Sequence, residues 1–320
     1  MTVPRIRFAS LPTPVEAMPR LSATLSGPRL WVKRDDLTGL AFGGNKTRKL
    51  EFLLAEAQAN GARTLISVGA AQSNHCRQVA ALASKYGLNC ILVLNGDDQQ
   101  RLSGNLLVDR LFGARIEWTT REQRERKLKQ VFEEAWAEGL RPYLIPLGGS
   151  TGLGALGYET AFRELQGQQI DPDWIIVASS SGGTQAGLVL GAFRARWPGK
   201  ILGISIDEPQ NILRDVVARI ASEAAELSNI DHVFRPDEIL VNADYLGGGY
   251  GILGEPEIEA IHMFAQSEGL LLDPVYTGRA AAGMIDLIRK GFFKSDEKVL
   301  FWHTGGTPAL FAGQYAISLA

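Results

Sequence analysis

A chain of 320 residues, 45% hydrophobic and 21% charged, has the length for one large domain or two modest ones with buried sheets. A formal net charge of −2 without a basic tract argues against nucleic acid or an anionic membrane surface as partner. The N-terminal "MTVPRIRFASLPTPVEAM" lacks the apolar run of a secretory signal, and no stretch approaches the roughly 18 apolar residues of a membrane span, so a cytoplasmic protein is expected.

In chain order, the first marked segment is "GLAFGGNKTRKLEF", residues 39–52. Gly39, Gly44 and Lys46 fall one residue out of register from the phosphate loop G-x-x-x-x-G-K-[ST]. "WVKRDDLTGL" also separates the segment from any strand feeding straight into it, so a phosphate loop fails on register and on context. Past Asn45 the spacing predicts a helix. Leu50, Leu53, Leu54 and Ala57 share one face, Asn45 suits the N-cap and Gly61 the stop. Lys46, Arg48 and Lys49 then crowd a first turn in which the helix dipole disfavours cations. Solvated surface charge is one reading. A bound anion is another, and an amine whose pKa is lowered by its neighbours for nucleophilic work is a third.

"TLISVG" (64–69), "CILVL" (90–94), "RIEW" (115–118) and "YLIPLG" (143–148) read as buried strands with helices between them. After the first, "GAAQSNHCRQVA" turns into a helix that Ser73 or Asn74 would cap. Capping alone, or a hydroxyl and an amide facing a cleft, both account for them. His75 is either a structural imidazole or a ligand. Cys76 and Cys90 form neither a metal nor a disulfide pattern, so reduced thiols and no metal are expected. In "STGLGALGYETA", Gly152, Gly154 and Gly157 match G-x-G-x-x-G, the one support for a nucleotide-dependent oxidoreductase. The next strand ends in serine and glycine where a dinucleotide fold needs an acid, so the triplet reads as an interdomain turn with close helix packing.

A second series follows: "WIIVAS" (174–179), "ILGISI" (201–206) and "VLFWHT" (299–304). The turn after the first leads into a helix starting near Thr184. Backbone N–H groups of Ser181, Gly182, Gly183 and Thr184 would converge there as a phosphate site, or the serines merely cap a tight turn. Tyr250 and Tyr276 lie in polar turns, open to plain packing or to a planar ligand. After His303 and Thr304 the chain turns at Gly305–Gly306 and opens a helix with Pro308 in its first turn. Thr304 is either a cap or a ligand-facing hydroxyl.

Alternating strand and helix signals predict an α/β fold of two open, twisted, parallel sheets with helices on both faces. A small domain is expected over 47–154. The chain would begin and finish in the larger one, 1–46 and 155–320.

Taken together, "VKRDDLTG", "GGNKTRKLEFL", "GAAQSNHCRQVA", "SSSGGTQAGL", "YGI", "LLDPVYTGRA" and "HTGGTPALF" closely resemble the family of 1-aminocyclopropane-1-carboxylate deaminases and D-cysteine desulfhydrases, in order over about residues 10–313. These are pyridoxal 5'-phosphate enzymes of fold type II, the tryptophan-synthase-β type. The resemblance implies that Lys46 bonds covalently to the cofactor aldehyde and that residues 180–184 (Ser180, Ser181, Gly182, Gly183, Thr184) hold its phosphate. It implies that Asn74 bonds the ring hydroxyl, that Ser73 moves the substrate α-proton, and that Ser73, Asn74 and His75 cradle the substrate carboxylate. Tyr276 would stack near the ring, with Tyr250 close to the substrate. The family is commonly homodimeric and acts on small amino acids.

Two positions bear on the branch. The deaminase branch carries glutamate after the D-P-V-Y tyrosine and leucine in the H-x-G-G turn; here those places are Thr277 and Thr304, as in the desulfhydrase branch. D-cysteine is therefore the expected substrate, with cyclopropane-carboxylate deamination and sulfite elimination from cysteate as rivals. Arg279, where relatives often have lysine, and the short stretch 95–105 are departures expected to alter the pocket rim.

Overall fold

The computed structural model describes residues 3–99 and 101–319. Their strands are β1 (Val15–Ala17), β2 (Arg29–Arg34), β3 (Thr64–Ala70), β4 (Asn89–Asn95), β5 (Arg115–Thr119), β6 (Pro142–Leu144), β7 (Trp174–Ser179), β8 (Lys200–Ser205), β9 (Leu240–Asn242) and β10 (Lys298–His303). The α-helices are α1 (Pro19–Leu25), α2 (Lys46–Ala59), α3 (Asn74–Lys85), α4 (Gly104–Leu111), α5 (Arg124–Ala137), α6 (Gly152–Gln166), α7 (Gly183–Ala195), α8 (Gln210–Leu227), α9 (Glu255–Glu268), α10 (Thr277–Arg289) and α11 (Gly313–Leu319). Among the described residues, no helix is long and apolar enough to cross a membrane.

Two sheets organise these elements, in the orders β1-β2-β10-β7-β8-β9 and β5-β4-β3-β6. Every pairing is parallel except β1 against β2. Continuous apolar runs such as "WIIVAS" are what strands covered on both faces require. Ile176 and Ala178 pack into one cluster with α9 and α10, while Ile175 and Val177 pack into another with α6 and α7. In the smaller sheet, Leu50, Leu53, Leu54 and Ala57 of α2 join Val79 and Leu82 of α3 on one face, and α5 covers the other.

Some strand expectations need correction. "YLIPLG" is strand only to Leu144. Pro146 cannot donate a ladder bond, and the chain leaves the sheet in a 3-10 turn over Leu147–Gly149 with Gly148 at φ +68°. "RIEW" lies on a sheet edge and is only partly buried. β2 escapes apolar pattern reading because it carries Lys33, which is buried by donating to Glu164 (2.6 Å) and to the Thr13 carbonyl (2.7 Å). Pro308 opens a 3-10 turn, Thr307–Phe311, in place of an α-helix.

A buried charge cluster seats α2. Arg48 meets the Asp35 carboxylate with Nε at 2.9 Å and Nη2 at 2.8 Å, while the Tyr158 hydroxyl (2.6 Å) and Trp302 Nε1 (2.8 Å) donate to the same group. Burial alone would raise the Asp35 carboxyl, but the Arg48 guanidinium, with Lys33 and Tyr158, holds it at about 2. Gly157 of α6 lets that helix approach: a Cβ there would stand 2.4 Å from the Arg48 carbonyl oxygen. The glycine triplet is thus a packing surface, with Thr151 capping α6 through Gly154 N at 3.1 Å.

Candidate active site

A cavity of about 360 Å³ opens where β3, β4, β7, β8 and β10 end, the place where open α/β sheets bind ligands. Lys46, the first residue of α2, lines it. Asn45 sits at the N-cap position but does not cap; its Nδ2 donates across the cleft base to Thr184 Oγ1 at 2.9 Å, and its N–H donates to the Thr304 carbonyl at 3.0 Å. Burial lowers the Lys46 ammonium to about 8, with Asp273 pulling the other way. Crowding by Arg48 is not the cause, since Arg48 is withdrawn into the Asp35 pair. Lys49 is buried too. Its Nζ reaches only neutral acceptors, the Gly148 carbonyl at 3.2 Å and Ser150 Oγ at 3.1 Å. Burial and the neighbouring Lys46 drive its pKa well down.

Ser73 is the N-cap of α3, its Oγ accepting from Cys76 N at 3.2 Å, and it also lines the cleft, so the capping and cleft-facing readings hold together. Asn74 lines the cleft beside it and accepts at Oδ1 from Asn105 Nδ2 at 2.8 Å. His75 Nε2 lies 2.9 Å from Ser67 Oγ, whose own proton goes to the Ile145 carbonyl at 2.9 Å. With the Ser67 proton on the Ile145 carbonyl, the imidazole donates from Nε2, and Nδ1 is buried without a hydrogen-bond partner. Burial, then Lys46 and Lys49, push its pKa well below the usual value, so His75 stays neutral. Cys76 and Cys90 are buried free thiols.

Ser180, Ser181, Gly182 and Thr184 line the opposite wall at the start of α7. Gly182 adopts φ +78°, a left-handed turn that aims successive N–H groups to one side. Gly183 lies behind that turn, its N–H shared between Ser150 Oγ at 3.2 Å and the Ser181 carbonyl at 3.0 Å. The Lys49 amine stands 2.9 Å from where a Gly183 Cβ would be. A helix N-terminus backed by a buried lysine without a carboxylate partner suits a bound phosphate.

Tyr250 and Tyr276 line the remaining wall with Thr304. Thr277 does not reach the cleft. Its Oγ1 donates to Asp273 Oδ1 at 2.8 Å, and its N–H donates to the same oxygen at 2.7 Å. Arg279 is also withdrawn from the rim it was expected to alter. It is buried, with Nε on Glu257 at 2.7 Å and its Nη atoms on the carbonyls of Ile206 (2.8 Å), Gly249 (3.0 Å) and Ile252 (2.9 Å). It clamps the loop that bears Tyr250. Of the short stretch 95–105, Gln100 lies outside the described residues, while Asn95 lines the cleft.

Sequence reasoning missed Asn105, Asp207 and Asp273, and it marked Lys49 only as one of three crowded first-turn cations. Asp207 is a cleft-lining carboxylate raised by burial against the opposing effect of Ser180 and Arg121, and its Oδ1 has no partner. Asp273 had a local signal, an Asp-Pro ahead of a helix start, and indeed accepts the N–H groups of Val275 (3.1 Å), Tyr276 (3.0 Å) and Thr277. Together these groups fit pyridoxal phosphate. There is a partly neutral amine for the aldehyde, a helix start with backbone N–H groups and serine hydroxyls for the phosphate, and amide and hydroxyl groups between them for the ring.

A family model described as pyridoxal-phosphate dependent enzyme matches residues 6–305. A solved structure described as an ACC deaminase homologue is 38% identical, with a TM-score of 0.90 over 99% of this chain and 96% of that one. Two others share the fold. An L-serine ammonia-lyase from the fungus Rhizomucor miehei is 18% identical, with a TM-score of 0.69 over 97% of this chain and 99% of its own. A pyridoxal 5'-phosphate-dependent aspartate racemase is 16% identical, with a TM-score of 0.67 over 92% of this chain and 90% of its own.

Proposed function

The chain belongs to the pyridoxal-phosphate dependent enzyme family, and we propose that it catalyses α,β-elimination on a small amino acid, converting D-cysteine and water to pyruvate, ammonia and hydrogen sulfide. When bound, the cofactor supplies an electron sink conjugated to the substrate α-carbon. Lys46 Nζ would bond its aldehyde carbon. The turn 180–184, backed by Lys49, would hold its phosphate, Asn74 its ring hydroxyl and Thr304 its ring nitrogen.

The N-terminus of α3, at Ser73, Asn74 and His75, would receive the substrate carboxylate. Either the Ser73 hydroxyl or the Lys46 amine, once displaced by the substrate amine, takes the α-proton. An amine near 8 keeps a neutral fraction at physiological pH, which supports the second route. The hydrogen-bonded pair Tyr250 and Tyr276 would offer one free O–H donor on the substrate side. In the same reading, residues 1–46 and 155–320 form the cofactor-bearing domain and 47–154 the small one, and the enzyme works as a cytoplasmic homodimer.

The choice of elimination rests on one observation: positions 277 and 304 carry threonine, and Thr277 spends its hydroxyl on Asp273. Neither can keep a pyridine nitrogen protonated as a carboxylate would. A weaker sink suffices when the α-proton leaves with a good β-leaving group, and it is poorly suited to opening a ring that has no α-proton. The 38% identity to a protein described as an ACC deaminase homologue supports the second reading, deamination of 1-aminocyclopropane-1-carboxylate. Incubation with D-cysteine, L-cysteine, cysteate and the cyclopropane substrate separates the readings. Sulfide from D-cysteine is expected. Formation of 2-oxobutyrate without sulfide, or of sulfite from cysteate alone, would overturn the first.

A further inference from the structure

Behind Asn74, in α4, lies a second amide. Asn105 is fully buried. Its Nδ2 donates to the main-chain carbonyl of Gln72 at 2.8 Å and to Asn74 Oδ1 at 2.8 Å, and its Oδ1 accepts from Arg77 Nη1 at 3.1 Å. A carbonyl can only accept and a guanidinium can only donate. These two neighbours therefore fix which end of the Asn105 amide carries hydrogens. Asn74 is obliged to present its oxygen to Asn105, and its own Nδ2 is turned away from that contact. Gly306 makes room there, since a Cβ at that position would stand 2.6 Å from Asn74 Nδ2. Arg77 is itself buried, and its Nη2 donates to the Gly43 carbonyl at 2.8 Å, in the loop that leads to Lys46. One guanidinium thus ties the lysine-bearing loop to the amide pair.

We propose that Asn105 is a positioning residue: held by Arg77 and the Gln72 carbonyl, it locks Asn74 with its N–H donor toward the cofactor ring oxygen, so that the site favours that oxygen as an anion. The proposal rests on the reading of Asn74 as the partner of the ring hydroxyl. A neutral donor facing an oxyanion makes a charge-assisted bond, and a reversed amide would instead set one oxygen against another.

The test is the balance between the visible and near-ultraviolet absorbance bands of the protein loaded with pyridoxal phosphate, measured across pH. The proteins compared are the natural one, Asn74→Ala, Asn105→Asp and the double variant. A carboxylate at position 105 still accepts from Arg77 but cannot donate to Asn74 Oδ1, so Asn74 reverses. Asn105→Asp is expected to shift the band ratio toward the neutral-oxygen form by about tenfold or more at a given pH. Asn74→Ala is expected to shift it in the same direction, and the double variant should match Asn74→Ala, because position 105 then has nothing to orient. Asn105→Ala serves if the aspartate variant does not fold. It frees Asn74 to rotate and should shift the ratio the same way by less. A folded, cofactor-loaded variant at position 105 with the natural ratio, while Asn74→Ala moves it, overturns the proposal, as do additive shifts in the double variant. An unmoved ratio in Asn74→Ala overturns the assignment of Asn74, and the proposal falls with it.

Discussion

The hydroxyl oxygens of Tyr250 and Tyr276 lie 2.6 Å apart, with ring centroids separated by 6.0 Å and planes crossed at 74°. The two residues reach this contact from separate supports. Asp273 pins Tyr276 through its N–H, and Arg279 pins the loop bearing Tyr250. Burial raises both phenol pKa values; at Tyr250 the bond from Tyr276 offsets part of the rise, and at Tyr276 the closeness of Tyr250 adds to it. Both therefore stay protonated near neutrality and act as donors, one proton of the pair bridging them and the other free for the cleft.

This sharing predicts non-additive kinetics. Tyr250→Phe and Tyr276→Phe should each lower kcat/KM by about 10- to 100-fold, the span of one well-placed hydrogen bond. The double variant should lose little more than the worse single one. A double loss equal to the product of the single losses would mean that the phenols act independently.

Ser73 caps α3 and is proposed to move the substrate α-proton, and the two roles can be separated. Ser73→Ala should slow turnover by about 10²–10⁴, the span for one proton-transfer group, and should also cost about 1 kcal/mol of stability through the lost cap. Ser73→Gly keeps most of the cap's stability but not the hydroxyl. If both variants retain natural turnover, thermal melts and initial rates together would reduce Ser73 to a cap.

The Arg279 clamp should matter through the loop it holds. Lysine in its place has fewer donors for the carbonyls of Ile206, Gly249 and Ile252. Arg279→Lys is expected to destabilise by about 1–3 kcal/mol, the cost of leaving a buried acceptor unbonded, and to raise KM more than it lowers kcat. Urea unfolding and steady-state kinetics check the two halves of that expectation.

Asp35 sets an acid limit. Its folded pKa is depressed to about 2 from an ordinary value of 3.8, so its contribution is fully present above that ordinary value and is lost as pH falls through the folded value. The difference corresponds to about 2 kcal/mol. Unfolding free energy should decline between about pH 5 and 2, and Asp35→Asn should lower stability at neutrality while flattening that decline. An unchanged acid slope in the variant would remove Asp35 from the account.

Much of this was legible in the sequence where the cause is local. "WIIVAS" and "TLISVG" are strands because unbroken apolar runs demand cover on both faces, and the three cations at 46–49 marked a place needing explanation. The explanations themselves were not local. Arg48 finds Asp35 in β2's wake, Lys49 finds Ser150, and Lys33 is buried through Glu164, 131 residues away. Asn105 reads as one more polar residue at a helix start until Gln72, Asn74 and Arg77 surround it. Arg279 illustrates the converse: motif position suggested the pocket rim, while Glu257 and three main-chain carbonyls hold the side chain inside the protein.

Lys46, and not its buried neighbour three residues on, is proposed to form the covalent link to the cofactor. Borohydride reduction of the loaded protein followed by peptide mass mapping tests it directly. One reduced pyridoxyl group per chain is expected, on Lys46. A label on Lys49 or on any other lysine, or no label at all, would contradict it.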